Sequence, residues 1–490
     1  MQMLNVDSII VFLYLLLTLI VGMYSGRNIK NMKEFAIGDR KFSTSALTAT
    51  FTATWIGAGV TIGIHEKVYQ HGIIWMFIFM GEVAEIFIYR LFVPYMGKFK
   101  GNFSAAEILG KWYGPKARLI TGLCTALYCM GLIGAQLGAV GYLFKEFFNI
   151  SPELGIIIGA GIVVMYSSFG GIKAVTYTDV IQFAFFIVAI PLIANVLLGH
   201  VGGYKELITR VPSEHFKLLP EYGNSTQYLL LLIVFFAIPS WDPSFVQRIL
   251  MSKDKYQMAG SFNGATLVLI LFYLVCTQIA LSVLVLKPDL DPNNILYYVI
   301  NNYLPTGIKG LGIAGLLAVI MSTADSYLNT SSVALIHDVI NPLRRESLNS
   351  KQELVTTKFT SLIMGISAIL VAVSFESIVD IMLKTWVLWV PIVVVPMTAA
   401  VINIRSNSQT FVISSIVGIS TAILWTALGY EDKTEIEPVI PGLVANLIVF
   451  TLLSYYYHKF ARDKLYIPII NEQEDGATDF LPTNKKKVLG

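Results

Sequence analysis

The chain has 490 residues, 55% of them hydrophobic and 14% charged, with a mean hydropathy of +0.66 and a formal net charge of +3. Soluble proteins carry about 25% charged residues, so the composition excludes an ordinary soluble domain and points to an integral membrane protein. Its apolar runs are long enough for helices rather than barrel strands. Cys124, Cys129 and Cys276 all lie in apolar segments and form neither a disulfide framework nor a metal motif.

Taken in order, the apolar runs predict thirteen transmembrane helices: 6–25, 45–64, 72–94, 119–144, 153–170, 178–199, 226–247, 259–286, 310–340, 359–375, 380–402, 409–429 and 438–457. The first lacks a small-residue cleavage site and reads as a retained helix. Residues 104–112 read as a short interfacial helix. Arg27, Lys30, Lys33, Arg40 and Lys41 fall in the first connection, Lys98, Lys100, Lys111, Lys116 and Arg118 in the third, and Arg344, Arg345, Lys351 and Lys358 in the ninth. This alternation predicts an outside N-terminus and an inside C-terminus in the cell membrane. Residues 1–457 form the transmembrane domain. Residues 458–490, ending near Lys485, Lys486 and Lys487, form a cytoplasmic tail, either a plain polar tail or a lipid-headgroup ligand.

Two spans carry helix breakers. The second holds Gly57, Gly59 and Gly63, and the seventh holds Pro239 and Pro243 around Asp242. Lipid cannot satisfy the backbone groups that such breaks free, so they belong beside a cavity. Their places, five spans apart, suggest two inverted units of five helices, about 45–199 and 226–402. The ninth span carries Ser322, Asp325, Ser326 and Asn329 at i, i+3, i+4 and i+7, one polar stripe of a helix with Thr323 beside it. A carboxylate at bilayer depth costs roughly 2.5–3.5 kcal/mol on insertion scales, so Asp325 must face a cation, a donor network or water.

Three stretches, G-G-I-K-A-V-T-Y-T-D-V-I-Q at 170–182, Q-R-I-L-M-S-K-D at 247–254 and G-L-L-A-V-I-M-S-T-A-D-S-Y-L-N at 315–329, resemble the sodium:solute symporter family, whose members include sodium/glucose, sodium/proline and sodium/sialic acid transporters. The resemblance implies an all-α leucine-transporter-type fold with ten core helices in two inverted repeats, spans 2–11 here. It also implies a sodium site formed by two carbonyls of the broken second span with a carbonyl and two hydroxyls of the ninth. The matching positions are Ala53, Ile56, Val319, Ser322 and Thr323. Sodium is a hard cation that wants about five or six oxygens, which carbonyls freed at a break and two hydroxyls can supply. Helix–helix hydrogen bonding is the plainer reading of Ser322 and Thr323. Family members that couple two sodium ions use an acid at the T-D position together with stripe hydroxyls. The matching set is Asp179, Ser322, Asp325 and Ser326, with Asp325 standing where those members have a hydroxyl. Asp325 could bind a second sodium, hold a proton or serve as a structural carboxylate, and Asp179 could equally be an N-cap at the membrane surface.

A solute is expected between spans 2, 7, 3 and 11. Candidates are Thr52, Trp55 and Gly59; Glu82, with Glu85 one turn on; Gln136; Ser240, Trp241 and Asp242; and Lys384, Thr385 and Trp386, followed by Trp389. An indole near the Lys384 charge suits an anionic or hydroxylated solute. A salt bridge from the glutamates to Lys384, or a snorkelling lysine, are the structural alternatives. The expectation is sodium-coupled symport of a small organic solute, in contact with the bilayer and without nucleic acid or an obligate protein partner. Proton or mixed coupling and a transport-like sensor are the alternatives. There is no nucleophile motif, Walker loop or His-rich metal motif, so no enzyme is expected.

Overall fold

A computed structural model describes residues 5–219, 225–374 and 378–466; the lysine run of the tail lies outside these. The described residues are helical, with no strand among them. The helices that build the site are α1 (Val6–Gly26), α2 (Thr44–Trp55), α3 (Ala58–His71), α4 (Gly81–Met96), α5 (Ala105–Tyr113), α6 (Pro115–Phe148), α7 (Pro152–Val201), α8 (Ser225–Ala237), α9 (Pro243–Leu250), α10 (Lys255–Leu286), α11 (Ile308–Val333) and α12 (Ile378–Val401). Among the described residues, nine helices are long and apolar enough to cross a membrane, or ten when the bent pair α2–α3 counts as one span. That is fewer than the thirteen expected. Their outer faces expose large apolar side chains such as Phe12, Leu267, Phe359, Leu370 and Leu452, as a lipid-facing surface requires.

The second span breaks where its glycines predict. Ser43 caps α2, its Oγ accepting the Ala46 N–H at 3.1 Å. The chain leaves the helix at Ile56 (ψ 93°), runs extended through Gly57 and restarts at Ala58, with a bend of 58°. The N–H of Ala58 donates to Gln136 Oε1 at 2.8 Å, so a side chain of α6 satisfies one of the freed backbone groups.

The seventh span breaks between α8 and α9. Trp241 lies there at φ 50°, in the left-handed region. Here too side chains satisfy the freed groups. Trp241 N donates to the Tyr89 hydroxyl at 2.7 Å, Ser240 N donates to Glu85 Oε1, and Ser240 O accepts from Trp389 Nε1 at 2.9 Å. Asp242 caps α9, accepting from Ser244 N at 2.8 Å and Phe245 N at 3.1 Å, with Pro243 at the first helical position. α7 runs for 50 residues but is divided at Gly171, whose φ of 52° and ψ of −153° are not helical. A Cβ there would lie 2.5 Å from the Phe35 ring, so both conformation and space select glycine.

α11 is the central element. It packs chiefly against α7, α6 and α1 and is buried on nearly every side. This accounts for a polar stripe inside an apolar helix: each hydroxyl and carboxylate meets a protein partner instead of lipid. The predicted interfacial helix is α5, capped by Ser104, and most of its residues are buried against the rest of the protein.

Candidate functional site

The expected sodium-site residues meet. Ser322 Oγ lies 2.9 Å from Ala53 O and 3.0 Å from Val319 O. Thr323 Oγ1 lies 3.3 Å from Ile56 O, 3.3 Å from Val319 O and 3.5 Å from Ala53 O. All five residues are buried. Oxygens in contact with one ion at about 2.4 Å stand about 3.4 Å apart, so these spacings need little rearrangement to surround a cation. Gly57 permits the approach: a Cβ there would lie 3.0 Å from Thr323 Oγ1 and 3.3 Å from Gln136 Oε1. Thr54 O, 3.3 Å from Thr323 Oγ1, is a further oxygen that sequence reasoning did not assign.

The second set, Asp179, Asp325 and Ser326, is also brought together, but a residue not assigned from sequence stands among them. Arg248 is fully buried. Its Nη2 lies 3.3 Å from Asp179 Oδ2 and donates to Ser326 Oγ. Its Nε reaches Thr50 Oγ1 at 3.0 Å, and its Nη1 reaches Ser244 O at 3.1 Å. Thr50 in turn donates to Asp179 Oδ2. Asp179 lies within a helix and is completely buried, so the surface N-cap reading fails. Asp325 turns the other way. Its Oδ2 accepts from the Tyr166 hydroxyl at 2.5 Å and from Thr178 Oγ1 at 3.3 Å, two neutral donors.

Beside the two breaks lies a cavity of about 120 Å³. Of the expected solute residues, Trp55, Glu82, Ser240, Asp242 and Trp386 line it, together with Glu85 and Trp389. The others do not. Thr52 back-bonds to Thr48 O at 2.8 Å, and Gln136 serves the backbone break. Trp241 is buried with its Nε1 on Thr398 Oγ1 at 2.8 Å. Thr385 back-bonds to Met382 O at 2.7 Å, and its methyl faces Gly131. Gly59 leaves room for Met382, which does line the cavity. Lys384 is exposed and contributes nothing to the wall, which removes the reason for expecting an anionic solute. One residue along a helix rotates a side chain by about 100°, enough to move a neighbour of Trp386 out of the cavity. Tyr128, Tyr327 and Phe245 line it and were not expected. The aromatic spacing alone does not separate them from packing residues.

Broken helices in two places, an oxygen cluster at one break and a cavity between them define a secondary transporter. Residues 35–418 match the family model of the sodium:solute symporter family, and the chain belongs to that family. It is 19% identical to the osmoregulated proline transporter OpuE of Bacillus subtilis (strain 168), over 90% of this chain and 93% of that protein. It is 24% identical to the high-affinity choline transporter 1 of Drosophila melanogaster, over 93% and 79% of the two chains. With the sodium/sialic acid symporter SiaT of Proteus mirabilis (strain HI4320) the identity is 25%, over 75% and 78%. Among solved structures, a substrate-bound, outward-open Na+-coupled sialic acid symporter matches with a TM-score of 0.78 at 22% identity, covering 93% of this chain and 98% of that one. MHP1, a nucleobase-cation-symport-1 family transporter, matches at 0.59 and 13%, covering 91% and 98%. These likenesses place the fold among leucine-transporter-type carriers, and the family consists of transporters rather than enzymes.

Proposed function

We propose that this chain carries a small organic solute into the cell with one sodium ion, held by Ala53 O, Ile56 O, Val319 O, Ser322 Oγ and Thr323 Oγ1. The observation that carries this reading is the convergence of those oxygens at the α2–α3 break, next to the cavity that Trp55 lines. An ion there ties the broken helix to α11. It drives transport only by binding one arrangement of the two repeats better than the other. Each charge that enters down a 100 mV inside-negative potential releases about 2.3 kcal/mol.

The same reading takes the chain as thirteen spans with an outside N-terminus. α7 counts as two because Gly171 divides it, and α8 with α9 counts as one interrupted span. Spans 2–6 and 7–11 are then the two inverted units. Arg248 supports one sodium rather than two, because its guanidinium already supplies the positive charge between Asp179 and Ser326. The relatives named above carry proline, choline and sialic acid, in keeping with a small organic solute. A second reading, proton coupling through Asp325, is favoured by its hydrogen-bond partners, the neutral hydroxyls of Tyr166, Thr178 and Ser326.

The test is the thermal stability of purified protein in sodium against equal potassium. Sodium should raise the melting temperature of the parent protein, and Ser322→Ala and Thr323→Ala should each remove most of that rise. A sodium effect that survives both substitutions refutes the site. Uptake driven by a pH gradient without sodium supports the proton reading.

A further inference from the structure

The cavity wall carries carboxyl groups with no basic side chain beside them among the described lining residues. Glu82 and Glu85 lie one turn apart on α4, both more than nine-tenths buried, and both line the cavity. Each has one oxygen engaged. Glu82 Oε2 accepts from the Trp55 indole and the Tyr273 hydroxyl. Glu85 Oε1 accepts from the Tyr89 hydroxyl at 2.7 Å and from Ser240 N. All four donors are neutral. Among the described residues no donor reaches Glu82 Oε1 or Glu85 Oε2, whereas Asp242 is fully used by the α9 cap and by the hydroxyls of Tyr128 and Tyr327, each at 2.9 Å.

No lysine, arginine or histidine is among the described residues lining the cavity. The rest of the wall is rich in aromatic faces, with Trp55, Tyr128, Phe245, Tyr327, Trp386 and Trp389 around one small space. Carboxylates at bilayer depth are costly without a counter-charge, and aromatic faces attract cations within about 6 Å of a ring centroid. A space of about 120 Å³ has room for a small molecule rather than a lone water.

We infer that the solute is a small organic cation, whose amine or quaternary ammonium head sits against Glu82 Oε1 and Glu85 Oε2 under the aromatic wall. The inference rests on the symporter reading for the role of the cavity, but its chemistry can be tested apart from coupling. The experiment uses the purified full-length chain, with thermal stabilisation and tryptophan fluorescence read in saturating sodium. The probes are choline, ethanolamine, 3,3-dimethylbutan-1-ol (the uncharged carbon analogue of choline) and lactate. At least one cation is expected to stabilise the protein at concentrations where the alcohol and lactate do not. Glu82→Gln and Glu85→Gln should each raise its half-saturating concentration tenfold or more, and Trp386→Leu severalfold, with stabilisation by sodium alone retained.

The inference is overturned if the alcohol or lactate binds as well as the cations, if none of the four probes binds, or if both glutamine variants leave cation binding unchanged. The probe comparison on the parent protein decides the matter even where a variant fails to fold. Absence of any sodium effect over potassium, with cation binding intact, refutes coupling and leaves cation recognition standing.

Discussion

Replacing Arg248 by methionine removes a buried guanidinium while keeping much of its volume. The guanidinium bonds to Asp179, Ser326, Thr50 and Ser244, and after the change Asp179 keeps the Thr50 hydroxyl but no charge partner. Breaking a buried ion pair on one side costs about 3–5 kcal/mol, because the remaining charge stays desolvated. At an unfolding entropy of about 2 cal/mol/K per residue, that cost is a fall of roughly 3–5 °C in melting temperature for a chain this long. Adding Asp179→Asn removes the orphaned charge, so the double variant should recover most of the loss, short of about 1–2 kcal/mol for the neutral hydrogen bonds. A double-mutant cycle by scanning fluorimetry measures the coupling. Arg248→Met alone also leaves Asp179, Asp325 and Ser326 without a resident cation, so it should gain a second sodium-dependent stabilisation that the parent lacks. The reasoning is refuted if the double variant is no more stable than Arg248→Met and if that single variant shows no added response to sodium.

Two further outcomes follow from local geometry. Gly57→Ala places a Cβ against Thr323 Oγ1 and Gln136 Oε1 at 3.0 and 3.3 Å, so it should weaken sodium-dependent stabilisation more than it lowers stability in potassium; equal losses in both would separate Gly57 from the ion site. Glu107, on α5 outside the spans, is buried, which alone would raise its carboxyl, but the His337 hydrogen bond and charge and nearby Lys111 bring it down to about 2. A depressed carboxyl contributes stability that is fully present above its unfolded value near 4.5 and is lost as pH falls toward 2. Melting temperature should therefore drop between pH 5 and 3, and Glu107→Gln should flatten that drop; an unchanged slope would exclude this contact as its source.

Some of the site was legible before folding, for identifiable reasons. Ser322 stands out because helical periodicity gathers polar residues on one stripe of an otherwise apolar segment, with Thr323 beside it, and Gly57 and Pro239 mark breaks because their backbone limits are local properties. Arg248 was visible only as part of a motif. Its role depends on Thr50, Asp179 and Ser326, which come from three distant segments and meet only in the folded bundle. Lys384 and Gln136 were misplaced because neighbouring positions on a helix point in different directions, and only packing decides which one faces the cavity.

The sequence by itself determined that the chain is a helical membrane protein, where two of its helices fail, and which hydroxyls stand opposite one of the failures. The first two follow from hydropathy, periodicity and the backbone chemistry of glycine and proline, and the third from the resemblance to the sodium:solute symporter family. Tertiary structure decided which charges neutralise one another. It pairs Asp179 with Arg248, turns Asp325 toward hydroxyls, carries Lys384 away from the cavity and leaves Glu82 and Glu85 facing it. Electrostatic partnership depends on distances of a few ångströms and on exclusion of solvent, and both arise only when remote segments pack together.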